Sequence, residues 1–161
     1  MMQPPTDTLG LRQALGAFAT GVTIVTAMDR ETGKPVGFTA NSFTSVSLDP
    51  PLLLVCLAHT AASYRIFCNS EGFAVNVLSA EQEEVARIFA RRGADKFAAV
   101  SWKPGAHGAP LLDGSLARFD CAMHQRVAAG DHDILMGLVL GFSRREGKAL
   151  VYHGGSFAAL G

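Results

Sequence analysis

Three apolar runs dominate the pattern of the chain. Residues 22–28 (VTIVTAM), 52–57 (LLLVCL) and 73–78 (FAVNVL) carry β-branched, aliphatic or aromatic side chains at nearly every position. The first run predicts a strand that is buried on both faces or nearly so, the second predicts another buried strand, and the third predicts a third strand. The polar turn at 29–34 (DRETGK) follows the first run, and the chain resumes at Val36, which predicts a hairpin.

The last third of the chain also has the pattern of strands. Residues 115–130, 132–144 and 148–153 are apolar or alternating, and turn residues at 129–131 and 145–147 separate them. The first of these segments alternates in part, which is typical of a half-exposed strand. Six or so strands with hairpin connections and no repeated βαβ order predict an antiparallel β-barrel with helices at its ends.

A first helix is predicted over residues 9–19. Leu11, Leu15 and Phe18 fall on one apolar stripe, and a residue within 6–8 can cap the helix. Residues 1–8 before it are expected to form a flexible arm. We expect residues 1–161 to fold as one domain, because the chain has a normal domain length and shows no internal linker.

Two further helices are predicted between the strands. Residues 61–69 have the composition of a short helix. Residues 79–93 carry the strongest helical signal, because Ser79 and Gln82 make a capping box and acidic residues occupy the first turn. Gly93 is expected to end this helix. The helix is interpreted as structural.

Composition narrows the classes of function. The chain has 161 residues, of which 48% are hydrophobic, and 14 basic residues balance 14 acidic ones. This balance argues against a general binder of nucleic acid or of membrane surfaces. No 18-residue apolar run or secretory signal occurs, so we expect a cytoplasmic protein. Three widely spaced cysteines, Cys56, Cys68 and Cys121, are expected to be buried reduced thiols.

Two polar segments are candidates for chemistry. Residues 37–51 (GFTANSFTSVSLDPP) contain five hydroxyls and no charge before Asp49. An uncharged loop rich in hydrogen-bonding groups suits a polar ring or a phosphate, and an ordinary Ser/Thr-rich turn explains it equally well. Residues 130–134 (GDHDI) place His132 just after a hairpin turn. From spacing alone, an exposed surface histidine is the simpler interpretation of that segment.

Familiar catalytic motifs are absent from the sequence. The chain has no G-x-G-x-x-G fingerprint, no P-loop, no G-x-S-x-G elbow, and no Cys or His pair at the spacing of a metal site. The side chains alone therefore offer little reactive chemistry. This favours an enzyme that uses an organic cofactor, or a ligand-binding barrel, and predicts no metal.

The residues resemble the short flavin reductase family, whose fold is an FMN-binding split β-barrel. The similarity runs from Leu11 to about Leu160. Five features carry it in order: the R-x-A-L helix at 12–15 with TGVTIVT at 20–26, the GFTANSFTSVSLDPPLLLVCL segment at 37–57, Ser63 followed by FAVNVL, GDHDI at 130–134, and Tyr152, Gly154 and Phe157. The segment AHTAA at 58–62 does not match the family residue by residue.

The resemblance implies a reaction and a set of contacts. Family members use NADH or NADPH to reduce FMN or FAD, by hydride transfer from the nicotinamide to the flavin N5, and the protein positions the two. Family positions for the flavin ring and ribityl chain are Thr39, Ala40, Asn41, Ser42, Ser45, Val46 and Ser47, with main-chain contacts from Cys56, Leu57 and Ala58. The remaining positions are Ser63 at the phosphate, Arg91, Lys96 and Phe97 over the flavin tail, Gly130 and His132 at the nicotinamide, and Tyr152 and Phe157 at the mouth.

The resemblance also implies partners. Such reductases are generally homodimers and pass reduced flavin to a separate oxygenase. We see no cluster of arginines for an NADPH 2′-phosphate, which favours NADH. Three alternatives stay open: a flavoprotein that reduces a cobalt corrinoid or ferric iron, a flavin-binding barrel without turnover, and an interaction barrel without a cofactor.

Overall fold

A seven-stranded antiparallel sheet forms the centre of the protein in the computed structural model, which describes residues 1–93 and 95–160. The spatial order of its strands is β3-β2-β6-β9-β10-β5-β4. The bounds are β2 Thr23–Met28, β3 Pro35–Ala40, β4 Thr44–Leu48, β5 Pro51–Ala58, β6 Gly72–Val77, β9 Ala117–Ala129 and β10 His132–Arg144. The architecture is mainly β and antiparallel, as predicted.

Smaller elements surround this sheet. A second sheet has the order β1-β11-β12, and β7 and β8 form a separate hairpin. Their bounds are β1 Thr20–Gly21, β7 Trp102–Pro104, β8 Pro110–Leu112, β11 Leu150–His153 and β12 Ser156–Ala159. The helices are α1 Thr8–Gly16, α2 Tyr64–Asn69 and α3 Glu83–Phe89, with 3₁₀ turns at Ala80–Gln82 and Lys96–Ala99. None of the helices in the described residues is long and apolar enough to cross a membrane.

All three apolar runs form strands, as predicted. In β2, residues 23–27 are all buried, and in β6 residues 72–76 are buried. The prediction for 52–57 was wrong for one face, because β5 alternates between buried and half-buried residues. Its inward residues Leu53, Val55 and Leu57 join the core, and its other face looks outward.

A long hairpin joins β9 to β10, as the turn at 129–131 predicts. Gly130 has a φ of +63°, a left-handed conformation that glycine adopts without strain. The pairing begins at His132 with Ala129 and runs to the far end of both strands. The hairpin therefore sets the place of His132, the first residue of β10.

The polar stretch 37–51 is not the loop that we predicted. Residues 37–40 belong to β3 and residues 44–48 form β4, so only residues 41–43 link the two. These two strands are the opposite edges of the sheet and do not pair with each other. The open seam of the barrel therefore lies between β3 and β4, and residues 41–43 cross it.

Predicted helix bounds need correction. The first helix is α1, Thr8–Gly16, and its cap is Asp7, whose carboxylate accepts a hydrogen bond from Gly10 N at 3.0 Å. Thr8 is helical, so the expected arm would be shorter than residues 1–8. The apolar stripe of α1 does not join the core: Leu15 and Phe18 are 67% and 78% exposed.

The other two helices are shorter than predicted. The segment 61–69 is helical only in α2, and the segment 79–93 divides into a 3₁₀ turn and α3. The capping box is present, and Gln82 Oε1 accepts a hydrogen bond from Ser79 N at 3.0 Å. The cysteines also differ from expectation: Cys121 is buried, whereas Cys56 and Cys68 are only partly buried. Burial raises the pKa of the Cys121 thiol to about 12.

A buried amide fastens the β7–β8 hairpin to the sheet. Asn76, which is 0% exposed, donates from Nδ2 to the carbonyls of Ile24 at 3.1 Å and Pro110 at 3.3 Å. Its Oδ1 accepts from Leu112 N at 2.8 Å. Thr26 Oγ1 adds a donated bond to Pro110 O at 2.6 Å. Since buried polar groups are costly unless paired, these bonds fix β8 against β2 and β6.

Candidate functional site

Two adjoining cavities follow the free edge of β3. The smaller has a volume of about 500 Å³ and the larger about 950 Å³. Both are lined by Thr39, Ala90 and Arg91. They therefore form one groove that runs along β3, with Thr39 at the junction and the C-terminal end of α3 above it.

The smaller cavity combines aromatic rings with two guanidinium groups. Tyr152 and Phe157 meet edge to face with their centroids 5.4 Å apart. The guanidinium carbon of Arg87 lies 5.1 Å from the centroid of the Phe157 ring, a cation–π contact. The full lining is Val22, Thr39, Ala40, Asn41, Arg87, Ala90, Arg91, Tyr152, Gly155 and Phe157.

The larger cavity lies between β3, α2 and the segment after α3. Lys96 Nζ donates to the carbonyls of Phe89 at 3.0 Å and Gly37 at 3.3 Å, so it joins the end of α3 to β3. Burial lowers the pKa of the Lys96 amine. An ammonium group has three donors, so one remains for a ligand. The Phe97 ring packs against Phe89 with centroids 4.9 Å apart and also forms part of the cavity wall.

The main chain of β3 also faces the groove. Gly37 O accepts from Lys96, so the polar groups of Gly37 point away from β2. In an antiparallel strand, alternate residues turn their N–H and C=O groups to the same side. The N–H and C=O of Thr39 therefore point into the groove as well. An edge strand presents such groups to any ligand with a polar rim.

Two hydroxyls predicted to bind a ligand have partners in the protein. Thr39 Oγ1 donates to Ala86 O in α3 at 2.6 Å, and Ser42 Oγ accepts from Cys56 N at 2.9 Å. The first bond fixes the junction of the cavities against α3. The second closes the seam by joining the 41–43 link to β5. Each hydroxyl keeps some hydrogen-bonding capacity, because a hydroxyl is both donor and acceptor.

The structure brings half of the predicted site residues to this groove. Those lining one or both cavities are Thr39, Ala40, Asn41, Ser63, Arg91, Lys96, Phe97, Tyr152 and Phe157. Those lining neither cavity in the described part of the chain are Ser42, Ser45, Val46, Ser47, Cys56, Leu57, Ala58, Gly130 and His132. Leu57 is 1% exposed, so neither its side chain nor its main chain is accessible to a ligand. Val46 is the extra residue of a β-bulge on the exposed edge β4.

His132 lies on the surface beyond the seam. It pairs with Ala58 of the neighbouring strand β5. Ala58 lies two residues after Cys56, whose backbone N–H donates to Ser42 Oγ. Ala58 and Cys56 are about 7 Å apart along β5, and β10 lies a further strand spacing away, so His132 does not line the groove. Its Nδ1 is 2.6 Å from Asp131 Oδ1. This hydrogen bond holds the pKa of the Asp131 carboxyl below its usual range.

One functional signal was missed in the sequence. The expectation of no arginine cluster does not hold at the smaller cavity, where Arg87 joins Arg91. Arg87 and Arg91 are four residues apart, a spacing that puts both on one face of a helix, and both line the smaller cavity. Arg92 adds a third guanidinium beside the larger cavity, where it donates to Thr60 O at 2.9 Å.

Comparison with known proteins gives several matches. The Flavin reductase like domain matches residues 15–161. The chain is 51% identical over 151 residues to the probable flavin reductase of Rhizobium meliloti (strain 1021), which covers 94% of this chain and 48% of the relative. It is 48% identical over 147 residues to the reductase component of the flavin-dependent trigonelline monooxygenase of Acinetobacter baylyi, with coverages of 91% and 47%. The chain thus spans about half the length of these curated relatives.

A solved structure extends the comparison to the fold. The NADH:FAD oxidoreductase of Streptomyces globisporus, solved in complex with NAD and FAD fragments, superposes with a TM-score of 0.93 at 40% identity. The superposition covers 100% of this chain and 97% of that one. The predicted split-barrel fold is confirmed. The chain belongs to the family of flavin reductase-like domains.

Proposed function

We propose that this chain reduces FMN or FAD with NADH and supplies the reduced flavin to a separate oxygenase. The observation that carries the proposal is the groove along the free edge of β3, which combines main-chain hydrogen-bonding groups, aromatic rings and cations. The similarity to an NADH:FAD oxidoreductase supports the choice of NADH. When bound, the flavin accepts a hydride from the reduced nicotinamide.

The chemistry of the groove fits a flavin. The polar groups of Gly37 and Thr39, together with the exposed Asn41 side chain, suit the alternating donors and acceptors of the isoalloxazine rim. Arg91 and the third proton of Lys96 provide positive charge for a phosphate, and Ser63 lies on the same wall. Because α2 has only six residues, we assign the phosphate to these cations and not to the α2 dipole.

The protein's part in such a reaction is to hold two ligands in one geometry. Hydride transfer needs the donor and acceptor atoms about 3–3.5 Å apart, and a fixed geometry removes most of the entropic cost of meeting. We assign the flavin to the β3 groove and the nicotinamide to the side that His132 faces. Ser42, the 45–47 segment of β4 and residues 56–58 then border the space in which the two ligands meet.

An oxygenase is the proposed recipient of the reduced flavin. The similarity to the reductase component of a trigonelline monooxygenase supports this choice. We also propose a cytoplasmic location, because the proposed reaction consumes NADH and NADH is abundant in the cytoplasm. The openness of the groove along a sheet edge suits a flavin that enters and leaves.

We propose that the protein is a homodimer formed through the outer face of β10 and β5. Strand partners lie on the same face of a sheet, and the pairs Ile134–Cys56, Met136–Leu54 and Leu138–Leu52 all face outward. These residues are only half-buried, and Leu140, the extra residue of a β-bulge at the end of this row, is 50% exposed. An apolar face of this extent is typical of an interface.

Leu140→Lys is expected to shift the protein from dimer to monomer. A lysine within an apolar interface would lose its hydration without gaining a partner. Sedimentation velocity at several concentrations measures the change. Leu111→Lys is the matched control, because Leu111 is half-buried on the β7–β8 hairpin away from the proposed interface. A monomeric wild type would contradict the dimer assignment.

Arg91→Ala is expected to weaken FMN binding by about tenfold or more, since a charge-assisted hydrogen bond to phosphate contributes about 1.5–3 kcal/mol. Titration followed by the quenching of flavin fluorescence measures this affinity. Riboflavin lacks the phosphate, so its affinity should hardly change. Arg30→Ala is the control, because Arg30 pairs with Glu71 outside the groove. Equal losses for FMN and riboflavin would contradict the assignment of Arg91 to the phosphate.

A further inference from the structure

His59 contacts the residues on both sides of His132. Its backbone N–H donates to Asp131 O at 2.9 Å, and its Nε2 is hydrogen bonded to Asp133 Oδ1 at 2.8 Å. One residue of the segment after β5 therefore holds the β9–β10 turn at two points. The segment AHTAA that contains His59 is the part of the chain that the family resemblance did not match.

Asp133 is a buried charge on the inward face of β10. It is 7% exposed and lies on the same face as Leu135 and the barrel core. His132, one residue earlier, faces the other way, because successive strand residues alternate between faces. The hydrogen bonds from His59 and Tyr64 hold the pKa of the Asp133 carboxyl below its usual range.

Asp133 also connects the turn to α2. Tyr64 OH donates to Asp133 Oδ2 at 2.8 Å, and Cys68 Sγ lies 4.0 Å from the same oxygen. The bond to the carboxylate raises the pKa of the Tyr64 hydroxyl, so Tyr64 remains a donor. Tyr64 directly follows Ser63, which lines the larger cavity. Asp133 thus links two residues proposed to contact ligands: it directly follows His132, and its carboxylate bonds to Tyr64, the neighbour of Ser63.

Burying the Asp133 carboxylate costs free energy, so the fold gains little stability from it. An apolar residue of similar volume at a buried ionic site is often as stabilising as the ion pair or more so. What the carboxylate provides is a fixed position for the turn, because His59 holds Asp133 through its side chain and Asp131 through its backbone N–H. A fixed turn matters most for a residue whose placement the function needs, and that residue is His132.

We propose that His59 and Asp133 form a clamp that positions His132 against the nicotinamide. This inference rests on the proposed reductase function and adds two positioning residues to it. The clamp acts through the turn backbone and does not touch either ligand. It therefore affects how well the nicotinamide is held, and leaves the flavin groove and the hydride transfer within a complete complex nearly unchanged.

Steady-state kinetics of His59→Ala and Asp133→Ala test the clamp. Each is expected to raise the KM for NADH by about tenfold, while kcat and the KM for FMN stay within about twofold. The double variant should be no worse than either single one, because both remove the same interaction. Asp133→Asn keeps an acceptor for one hydrogen bond and is expected to recover most of the NADH affinity.

Tyr64→Phe is the matched control. It removes one hydrogen bond from the same carboxylate but leaves both contacts of His59 with the turn, so its KM for NADH should stay near the wild-type value. A Tyr64→Phe effect equal to that of Asp133→Ala would overturn the proposal. Additive effects of His59→Ala and Asp133→Ala, or a parallel rise in the KM for FMN, would overturn it as well.

Hydrogen exchange of the ligand-free protein separates this inference from the reductase function. Amides of residues 127–134 are expected to exchange faster in His59→Ala and Asp133→Ala than in the wild type or Tyr64→Phe, with β2 and β6 unchanged. Unchanged exchange in this segment would overturn the clamp. A wild type that oxidises no NADH with any flavin would refute the reductase function, and exchange would still decide whether His59 and Asp133 hold the turn.

Discussion

Replacing Asn76 with aspartate is expected to lower the free energy of unfolding by about 3–5 kcal/mol, the usual cost of leaving a buried charge unpaired. The Asn76 amide donates to Ile24 O and Pro110 O, and a carboxylate cannot donate to either. The variant would place a negative charge against two carbonyl oxygens at a site that is 0% exposed. Partial protonation would reduce this cost only by converting the group to a neutral acid.

Chemical denaturation of wild type and variant measures this difference. A melting temperature lower by roughly 10 °C is the matching result for a chain of this size. Asn69→Asp is the control, because Asn69 is exposed at the end of α2 and the same change there should alter the free energy of unfolding by less than about 0.5 kcal/mol. Equal stability of the two variants would show that the β7–β8 hairpin is not held through Asn76.

Replacing His132 with alanine is expected to raise the KM for NADH by about tenfold or more, the cost of losing one good hydrogen bond or stacking contact. The imidazole is 44% exposed, and Asp131 holds its Nδ1. Its Nε2 is therefore the atom directed outward. Because His132 lines neither cavity, the affinity for FMN should stay within about twofold of the wild-type value.

The prediction separates the effect of the substitution on NADH from its effect on FMN. Flavin titration and steady-state kinetics on the same sample give both affinities. His124→Ala is the control, because His124 is an exposed histidine on β9 outside the groove. A loss of FMN affinity as large as that of NADH would place His132 at the flavin and contradict the division into two sides.

Local patterns predicted the buried centre of the sheet correctly, for a physical reason. The two faces of β2 and β6 are both covered, one by the barrel core around Val25 and Phe73 and the other by the core around Ile24 and by the β7–β8 hairpin. Burial therefore selects apolar residues at almost every position, and this selection is visible in one segment alone. The same holds for the β9–β10 hairpin, where Gly130 marks the turn. For these elements, the residue types that the fold requires are adjacent in sequence.

The edges of the sheet could not be predicted in this way. β3 and β4 are half-exposed strands rich in hydroxyls, so a Ser/Thr-rich loop has the same composition. The apolar stripe of α1 has the same period as a core-facing helix, although it is exposed in the single chain. In both cases the missing information is what lies beside the segment in space.

The candidate site depends on contacts between distant segments. Thr39 meets α3 through Ala86, and Arg87 reaches Phe157 near the end of the chain. The link between His59 and Asp133 joins residues 74 positions apart. The family motifs located Asn41, Arg91 and His132, but only the structure shows that the groove and His132 lie on two sides of the seam.

The measurement that tests the central claim most directly is NADH oxidation by the purified protein in air, with FMN, FAD or riboflavin added in turn. The proposal predicts an NADH consumption that requires both protein and flavin and that saturates with each. NADPH in place of NADH should be consumed more slowly. No protein-dependent oxidation of NADH or NADPH with any of the three flavins would contradict the reductase function.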